Sequence, residues 1–438
     1  MGRLILTLLF VLAAAGASAQ EGTWKGELDI QGIKLPLVFH FAADSCTLDS
    51  PSQGVKGIKA EKTTSDDNKI RVTITAISAV FEGTNYTDSI CGTFQQSGIS
   101  LPLTLLPGAI ETRRPQTPVP PFPYEEQQVS FTNGQFTLHG TLTLPQDCTR
   151  QTPVVLMVTG SGQQNRDEEL FGHKPFAVIA DALTRHGIAT LRYDDRGYGD
   201  KSVTFSSYTT DDFKQDAEAG LKLLRTQFDN VGILGHSEGG TIALMLAAEH
   251  KTDFAISLAG MAISGSETLL MQNRLSLSTS GLLDDMVDGY CAALKEAFTS
   301  LREGKNPEGI KLSAAASALQ PTFDRALQQL RTPYMQHFLT LNISSQLSLI
   351  QCPVLALNGK KDMQVDCDAN LTALEKGLTN NSHHTILALE DLNHLFQHCA
   401  TGNVIEYQQI EETISPAVLE MIAEWINGIR TNISTGSR

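Results

Sequence analysis

The chain has 438 residues, 41% of them apolar, with 35 Gly and 17 Pro, which is the composition of a globular protein and excludes a disordered or fibrous one. Its length exceeds one ordinary domain and points to two or three. A formal net charge of −15 excludes the basic footprint that a nucleic-acid partner needs, and reads as a contribution to solubility.

In chain order, the first element is a leader. Met1-Gly2-Arg3, the apolar run from Leu4 to Ala15 and Ala17-Ser18-Ala19 form a positive start, a hydrophobic stretch and an A-x-A cleavage site. Residues 1–19 are therefore expected to be a signal peptide, with export to a periplasmic or extracellular setting. The run is shorter than the ~20 apolar residues that span a bilayer, and no later run is longer, so no membrane anchor is expected. Seven cysteines (46, 91, 148, 291, 352, 367 and 399) permit up to three bridges in such a compartment. A Cys367–Cys399 bridge is one option; small buried apolar residues are the plainer one.

Residues 20–112 alternate polar and apolar. Lys34 to Phe41, Ile70 to Ile77 and Ser100 to Leu106 read as half-buried strands between Gly- and Asp/Asn-rich turns, giving a small all-β accessory domain, a barrel or a sandwich. The phrases at 32–37 and 98–103 have similar shape. Trp24 is either a core residue or a ligand platform, and the β domain has no assigned partner. Residues 113–123, with Pro115, Pro118, Pro120, Pro121 and Pro123, suit neither helix nor central strand and read as a stiff linker.

From 124 to 430 the pattern changes. Val129 to Leu144 predicts a hairpin turning near Asn133-Gly134. Apolar runs follow at 153–158, 188–191, 231–234, 255–258 and 354–357, as strands buried on both faces require. Helical patterns such as 176–185 and 213–228 separate them. Alternating strands and helices predict an α/β fold with a doubly wound, mostly parallel sheet. The helix-rich stretch of about 261–350 reads as a cap over the active face.

Reactive groups in such a sheet belong at the carboxyl ends of strands. Three positions meet that condition. Gly235-His236-Ser237-Glu238-Gly239 lies between a strand and a helix, the setting of a nucleophile elbow. Asp362 follows the strand at 354–357, and His394 follows the run at 385–389. In this arrangement Ser237 is the nucleophile, His394 its base and Asp362 the group that orients His394. The oxyanion donors are expected to be backbone N–H groups of Glu238 and of Ser161, with Gly162 next to it. Asp391, Asp366 and Asp368 are rivals for the acid, and His398 with Cys399 is a weak metal motif. His236 is expected to be structural. The Glu238 side chain is expected to form an ion pair under the elbow with Arg166 or Arg196, with a grip on a substrate amine as the alternative. Leu269, Leu270, Met271 and Leu275 are spaced as the buried face of a cap helix, with an acyl-pocket wall as the alternative.

Several segments carry a family resemblance: Thr159-Gly160-Ser161-Gly162-Gln163-Gln164-Asn165-Arg166-Asp167, Leu191 to Gly199, Gly235 to Gly240, Gly359 to Val365, Leu392 to Gln397 and, later, Glu412 to Pro416. In this order they make residues 124–430 resemble the EstD-like carboxylesterases of the α/β-hydrolase superfamily. Two departures stand out, Gly162-Gln163 where the family often has Gly-Pro, and a longer loop at Asp200-Lys201. The resemblance implies Ser237, Asp362 and His394 as a triad, and an exported serine carboxylesterase acting on a small-molecule ester with no cofactor and no metal. A peptidase on the same scaffold and a catalytically silent binding protein are the alternatives.

Overall fold

The computed structural model describes residues 21–435, apart from 31–32, 44, 54, 66–67, 97, 110–112 and 380–382. The expected signal peptide lies outside the described residues. The chain divides into two compact units, 1–112 and 113–438.

The first unit is a closed antiparallel barrel. Its strands are β1 (Gly22–Ile30), β2 (Ile33–Phe41), β3 (Cys46–Ser50), β4 (Val55–Thr64), β5 (Lys69–Ile74), β6 (Ala79–Asn85), β7 (Ile90–Gln96) and β8 (Ile99–Pro107). Each pairs with the next, and β1 returns to β8 through Trp24↔Pro107 and Lys25↔Leu106, so no edge is left open. Alternation sends Leu37, Phe39, Leu48, Val72, Phe81, Ile90 and Leu105 to the interior, where Phe39 packs on Phe41 and Phe81 with ring centroids 5.7 and 5.5 Å apart. Trp24 is 5% exposed and belongs to this core. The two similar phrases open β2 and β8, the neighbours of β1. The strand expected to reach Ile77 stops at Ile74. Thr75–Ile77 forms a single 3-10 turn, and Ser78 follows in the left-handed region at φ 52°.

The second unit carries an eight-stranded sheet in the order β16-β15-β14-β13-β11-β12-β10-β9. These are β9 (Glu125–Asn133), β10 (Phe136–Leu144), β11 (Val154–Val158), β12 (Ala189–Tyr193), β13 (Val231–His236), β14 (Ala255–Leu258), β15 (Val354–Gly359) and β16 (Thr385–Leu389). The expected hairpin, β9 with β10, is the antiparallel edge, and β10 also meets β12 antiparallel. The other pairings are parallel. Every residue of β11, β12, β13, β14 and β15 is buried, because helices cover both faces. One face packs α1 (Pro175–Arg185) and α9 (Pro416–Thr435) around Val155, Ile179, Leu183, Ile256 and Ile422. The other packs α2 (Thr210–Arg225), α3 (Glu238–Ala248) and α8 (Cys367–Gly377) around Leu156, Leu221, Ile233, Leu244 and Leu371.

The cap is α4 (Gly265–Thr279), α5 (Asp284–Arg302), α6 (Gln320–Gln329) and α7 (Pro333–Thr340). It has its own core around Tyr290, Leu294, Phe298, Phe323 and Leu327. The Pro-rich stretch is anchored on the second unit at its start. The Arg114 guanidinium donates to the carbonyls of Phe171 and Gln408, both at 2.8 Å, and of Ile410 at 3.1 Å. Gln116 Nε2 donates to the Ile414 carbonyl at 2.8 Å. No described helix is long and apolar enough to cross a membrane.

Candidate active site

The elbow between β13 and α3 is built by what its glycines leave out. A Cβ on Gly235 would lie 1.9 Å from the Gly239 carbonyl oxygen, and one on Gly239 would lie 2.1 Å from that of Val158. The chain therefore turns through a space that only glycine fits. Ser237 stands at the apex with φ 55° and ψ −119°, a strained backbone for a residue with a side chain. Its amide is held by the Leu258 carbonyl at 2.8 Å. Its hydroxyl makes no hydrogen bond among the described residues.

Asp362 and His394 meet across the ends of β15 and β16. His394 Nδ1 lies 2.7 Å from Asp362 Oδ2, with both side chains all but inaccessible to solvent. A carboxylate oxygen only accepts, so Nδ1 carries the hydrogen and Nε2 is left with its lone pair. The other oxygen, Asp362 Oδ1, accepts the amides of Gln364 (2.7 Å) and Val365 (2.9 Å), which fixes the carboxylate in its own turn. The His394 loop is braced by Asn393 Oδ1, which accepts the amides of Leu395 and Gln397, both at 3.0 Å.

Ser237 opens onto a cavity of about 310 Å³ that Ser161, Gly162 and Glu238 also line. Its walls are largely apolar, from Phe205, Met261, Leu269, Met335, Phe338 and Val365. Of the cap residues weighed for that wall, Leu269 faces the cavity, Leu270 packs into the cap core and Met271 is exposed. Glu238 is the first residue of α3, where backbone N–H groups have no partner within the helix. The amide of Gly160, by contrast, is taken by Glu168 Oε1 at 2.7 Å.

The expected ion pair of Glu238 is not formed. Arg166 pairs with Asp194 at 2.5 Å, and Arg196 with Asp216 at 2.7 Å. Glu238 instead accepts from Thr210 Oγ1 and from the Tyr334 hydroxyl, each at 2.6 Å. Burial raises its carboxyl above the usual range, against the lowering effect of those two donors. Two hydroxyls satisfy a buried carboxylate here without bringing a second charge out of water.

His236 does more than fill space. Its Nδ1 lies 2.9 Å from Glu168 Oε1 and its Nε2 lies 2.9 Å from the His394 carbonyl oxygen. Burial acts to lower its pKa. The Glu168 charge and hydrogen bond, with help from the His394 carbonyl and Asp362, outweigh burial and raise it. Thr210 and Tyr334 have no motif around them, Glu168 falls just past the segment 159–167, and their contacts with the elbow span 28 to 96 positions of chain.

The rivals sit elsewhere. Asp391 pairs with Lys361 at the surface, Asp366 caps α8 through the Ala369 amide, and the largely exposed His398 pairs with Glu412. The cysteines are all free, Cys367 and Cys399 included. Among the described residues no group of three or more His, Cys, Asp or Glu is placed to hold a metal ion.

Residues 153–398 match the family model of the α/β-hydrolase fold, which is more than half of the chain. The chain belongs to the α/β-hydrolase fold family. It is 26% identical over 315 residues to esterase EstD of Thermotoga maritima, covering 70% of this chain and 69% of that one, in agreement with the resemblance to the EstD-like group. It is 29% identical over 141 residues to a proline iminopeptidase of Saccharolobus solfataricus, covering 31% of this chain and 42% of that one. Among solved structures, Est1E from Butyrivibrio proteoclasticus aligns with a TM-score of 0.40 at 14% identity, over 68% of this chain and 99% of that one.

Proposed function

We propose that this hydrolase is an exported serine carboxylesterase that cleaves small or medium acyl esters through an acyl-enzyme at Ser237. The observation that carries the reading is the buried His394–Asp362 pair, at 2.7 Å, whose His394 carbonyl accepts from His236, the residue just before a strained serine that opens onto an apolar cavity.

Ser237 Oγ attacks the ester carbonyl carbon, and its proton passes to His394 Nε2, the nitrogen that Asp362 leaves free. The carbonyl oxygen becomes an oxyanion facing the Glu238 amide and the amide of Ser161 or Gly162. Collapse of this intermediate breaks the bond to the alkoxy oxygen, which takes the proton from His394. Water then repeats the sequence on the acyl-enzyme and releases the acid. Asp362 stabilises the imidazolium in both halves without taking up the proton. A cavity of about 310 Å³ with mostly apolar walls suits an acyl chain of small or medium length.

The test is a fluorophosphonate label together with p-nitrophenyl esters of increasing chain length and an amino-acyl nitroanilide. Ser237 is expected to be labelled, and the short esters to be turned over. A folded protein that is not labelled contradicts the reading. Turnover of the anilide alone replaces it with a peptidase.

A further inference from the structure

The environment of His236 fixes more than a space-filling role. The residue just before the nucleophile has both ring nitrogens engaged, and each contact ends on a different part of the site. Through Nδ1 it meets Glu168 Oε1 at 2.9 Å, and that same oxygen accepts the Gly160 amide at 2.7 Å, next to the expected oxyanion donors. Through Nε2 it meets the backbone carbonyl of His394 at 2.9 Å. A carbonyl only accepts, so Nε2 carries a hydrogen and the tautomer is set. The Nδ1 contact needs a second hydrogen between the ring and the carboxylate. A Gln at 168 could supply that hydrogen only from its NH₂ group, and in that pose it would lose the oxygen that accepts the Gly160 amide.

Glu168 is itself 4% exposed and lies in the left-handed region at φ 53°, so its loop bends against preference to aim the carboxylate inward. Gly160 sits between the two parts. A Cβ there would be 3.2 Å both from Glu168 Oε1 and from Ser237 Cβ. The groups that face the His236 ring are Glu168, His394 (ring centroids 4.7 Å apart), Phe396 (6.5 Å) and the charge of Asp362.

Resting on the serine-hydrolase reading above, we propose that Glu168 and His236 are positioning residues, a buried carboxylate–imidazole pair that holds the oxyanion loop and the His394 loop in register with Ser237. Neither touches the reacting atoms. The pair acts by setting where the donors at 161–162 and the base at 394 stand, and displacement of such groups by about 1 Å costs up to a hundredfold in rate.

The test is a double-mutant cycle of Glu168→Gln, His236→Gln and the two combined, read as kcat and KM separately. Each single variant is expected to lose about tenfold to a hundredfold in kcat with KM little changed. The combined variant is expected to lose no more than the worse single one, because either change breaks the same chain of contacts. Additive losses, or singles with the parent kcat, overturn the proposal. If a variant fails to fold by circular dichroism, nitrogen NMR of ring-labelled parent protein decides. The His236 ring is expected to keep Nε2 protonated across the neutral range, and a bare Nε2 overturns the pairing. Fluorophosphonate labelling of the parent separates the two readings. An unlabelled Ser237 sinks the hydrolase reading and the positioning role with it, whereas a labelled Ser237 with a bare His236 Nε2 sinks the pairing alone.

Discussion

Asp362 gives each of its oxygens a fixed task, Oδ2 to His394 and Oδ1 to two amides of its own turn. Replacing it with Asn tests which task matters for turnover. In Asp362→Asn the carbonyl can keep the two amides, but the NH₂ group then points at Nδ1. His394 must then move its hydrogen to Nε2 and, on the proposed reading, can no longer accept the Ser237 proton. The expected result is a fall in kcat of about 10⁴-fold with the fold unchanged. It is checked by steady-state kinetics beside circular dichroism, and a loss of less than tenfold rules out the assigned role. The proposed site residues Ser237, Asp362 and His394 are the ones legible in the sequence, because each follows a strand, and strand ends show as breaks in apolar runs. The partners of Glu238 are not legible. A charge next to a nucleophile invites an opposite charge, whereas Thr210 and Tyr334 reach it from α2 and from the cap.

The elements of the second unit were legible because parallel strands buried on both faces need continuous apolar runs, and β11 to β15 have them. The barrel strands were legible only as alternation. That pattern does not distinguish a barrel from a sandwich, because closure depends on β1 meeting β8 across the length of the unit. At this scale the elbow makes the sharpest prediction. Gly239→Ala sets a methyl group 2.1 Å from the Val158 carbonyl oxygen, which is backbone of β11 and has no room to retreat. A destabilisation of about 3 kcal/mol is expected from such overpacking, read from urea midpoints. A midpoint equal to the parent's would mean that α3 is not seated on β11 as described. Residues 113–123 make a second prediction. Arg114 and Gln116 hydrogen-bond to the loops at 171 and 408–414, so a fragment starting at 113 is expected to be more stable than one starting at 124 by about 2–3 kcal/mol. Equal stability would return the segment to the role of a plain linker.

Across the whole second unit, His173 links stability to pH. It is fully buried, with Nε2 donating to the Tyr407 carbonyl at 2.8 Å and Nδ1 accepting from Thr413 Oγ1 at 2.9 Å, so the neutral ring serves the carbonyl and the hydroxyl; Gln397 Nε2 also lies 3.1 Å from its Nε2. Burial, reinforced by the charge of Arg114, pushes it down to about 4 from 6.5, against the opposing bond to Tyr407. Above 6.5 the ring is neutral in both the folded and the unfolded chain, and contributes no pH dependence. Below 6.5 the unfolded chain takes up a proton that the folded one refuses, so stability falls with pH until about 4 and then levels off. His236 is shifted the other way, so its contribution is complete below the ordinary imidazole value and is lost only as pH rises above it. Other groups titrate between 6.5 and 4 as well, the lowered His384 in the same sense as His173 and the raised carboxyls of Asp195 and Glu238 in the opposite sense, so the part played by His173 is read as a difference from a variant. Between pH 7 and pH 4 the urea midpoint of the parent is therefore expected to fall relative to that of His173→Asn, where no proton can be taken up at this position on unfolding. Equal slopes in the two proteins would show that the ring of His173 is not held neutral by its contacts with Tyr407 and Thr413.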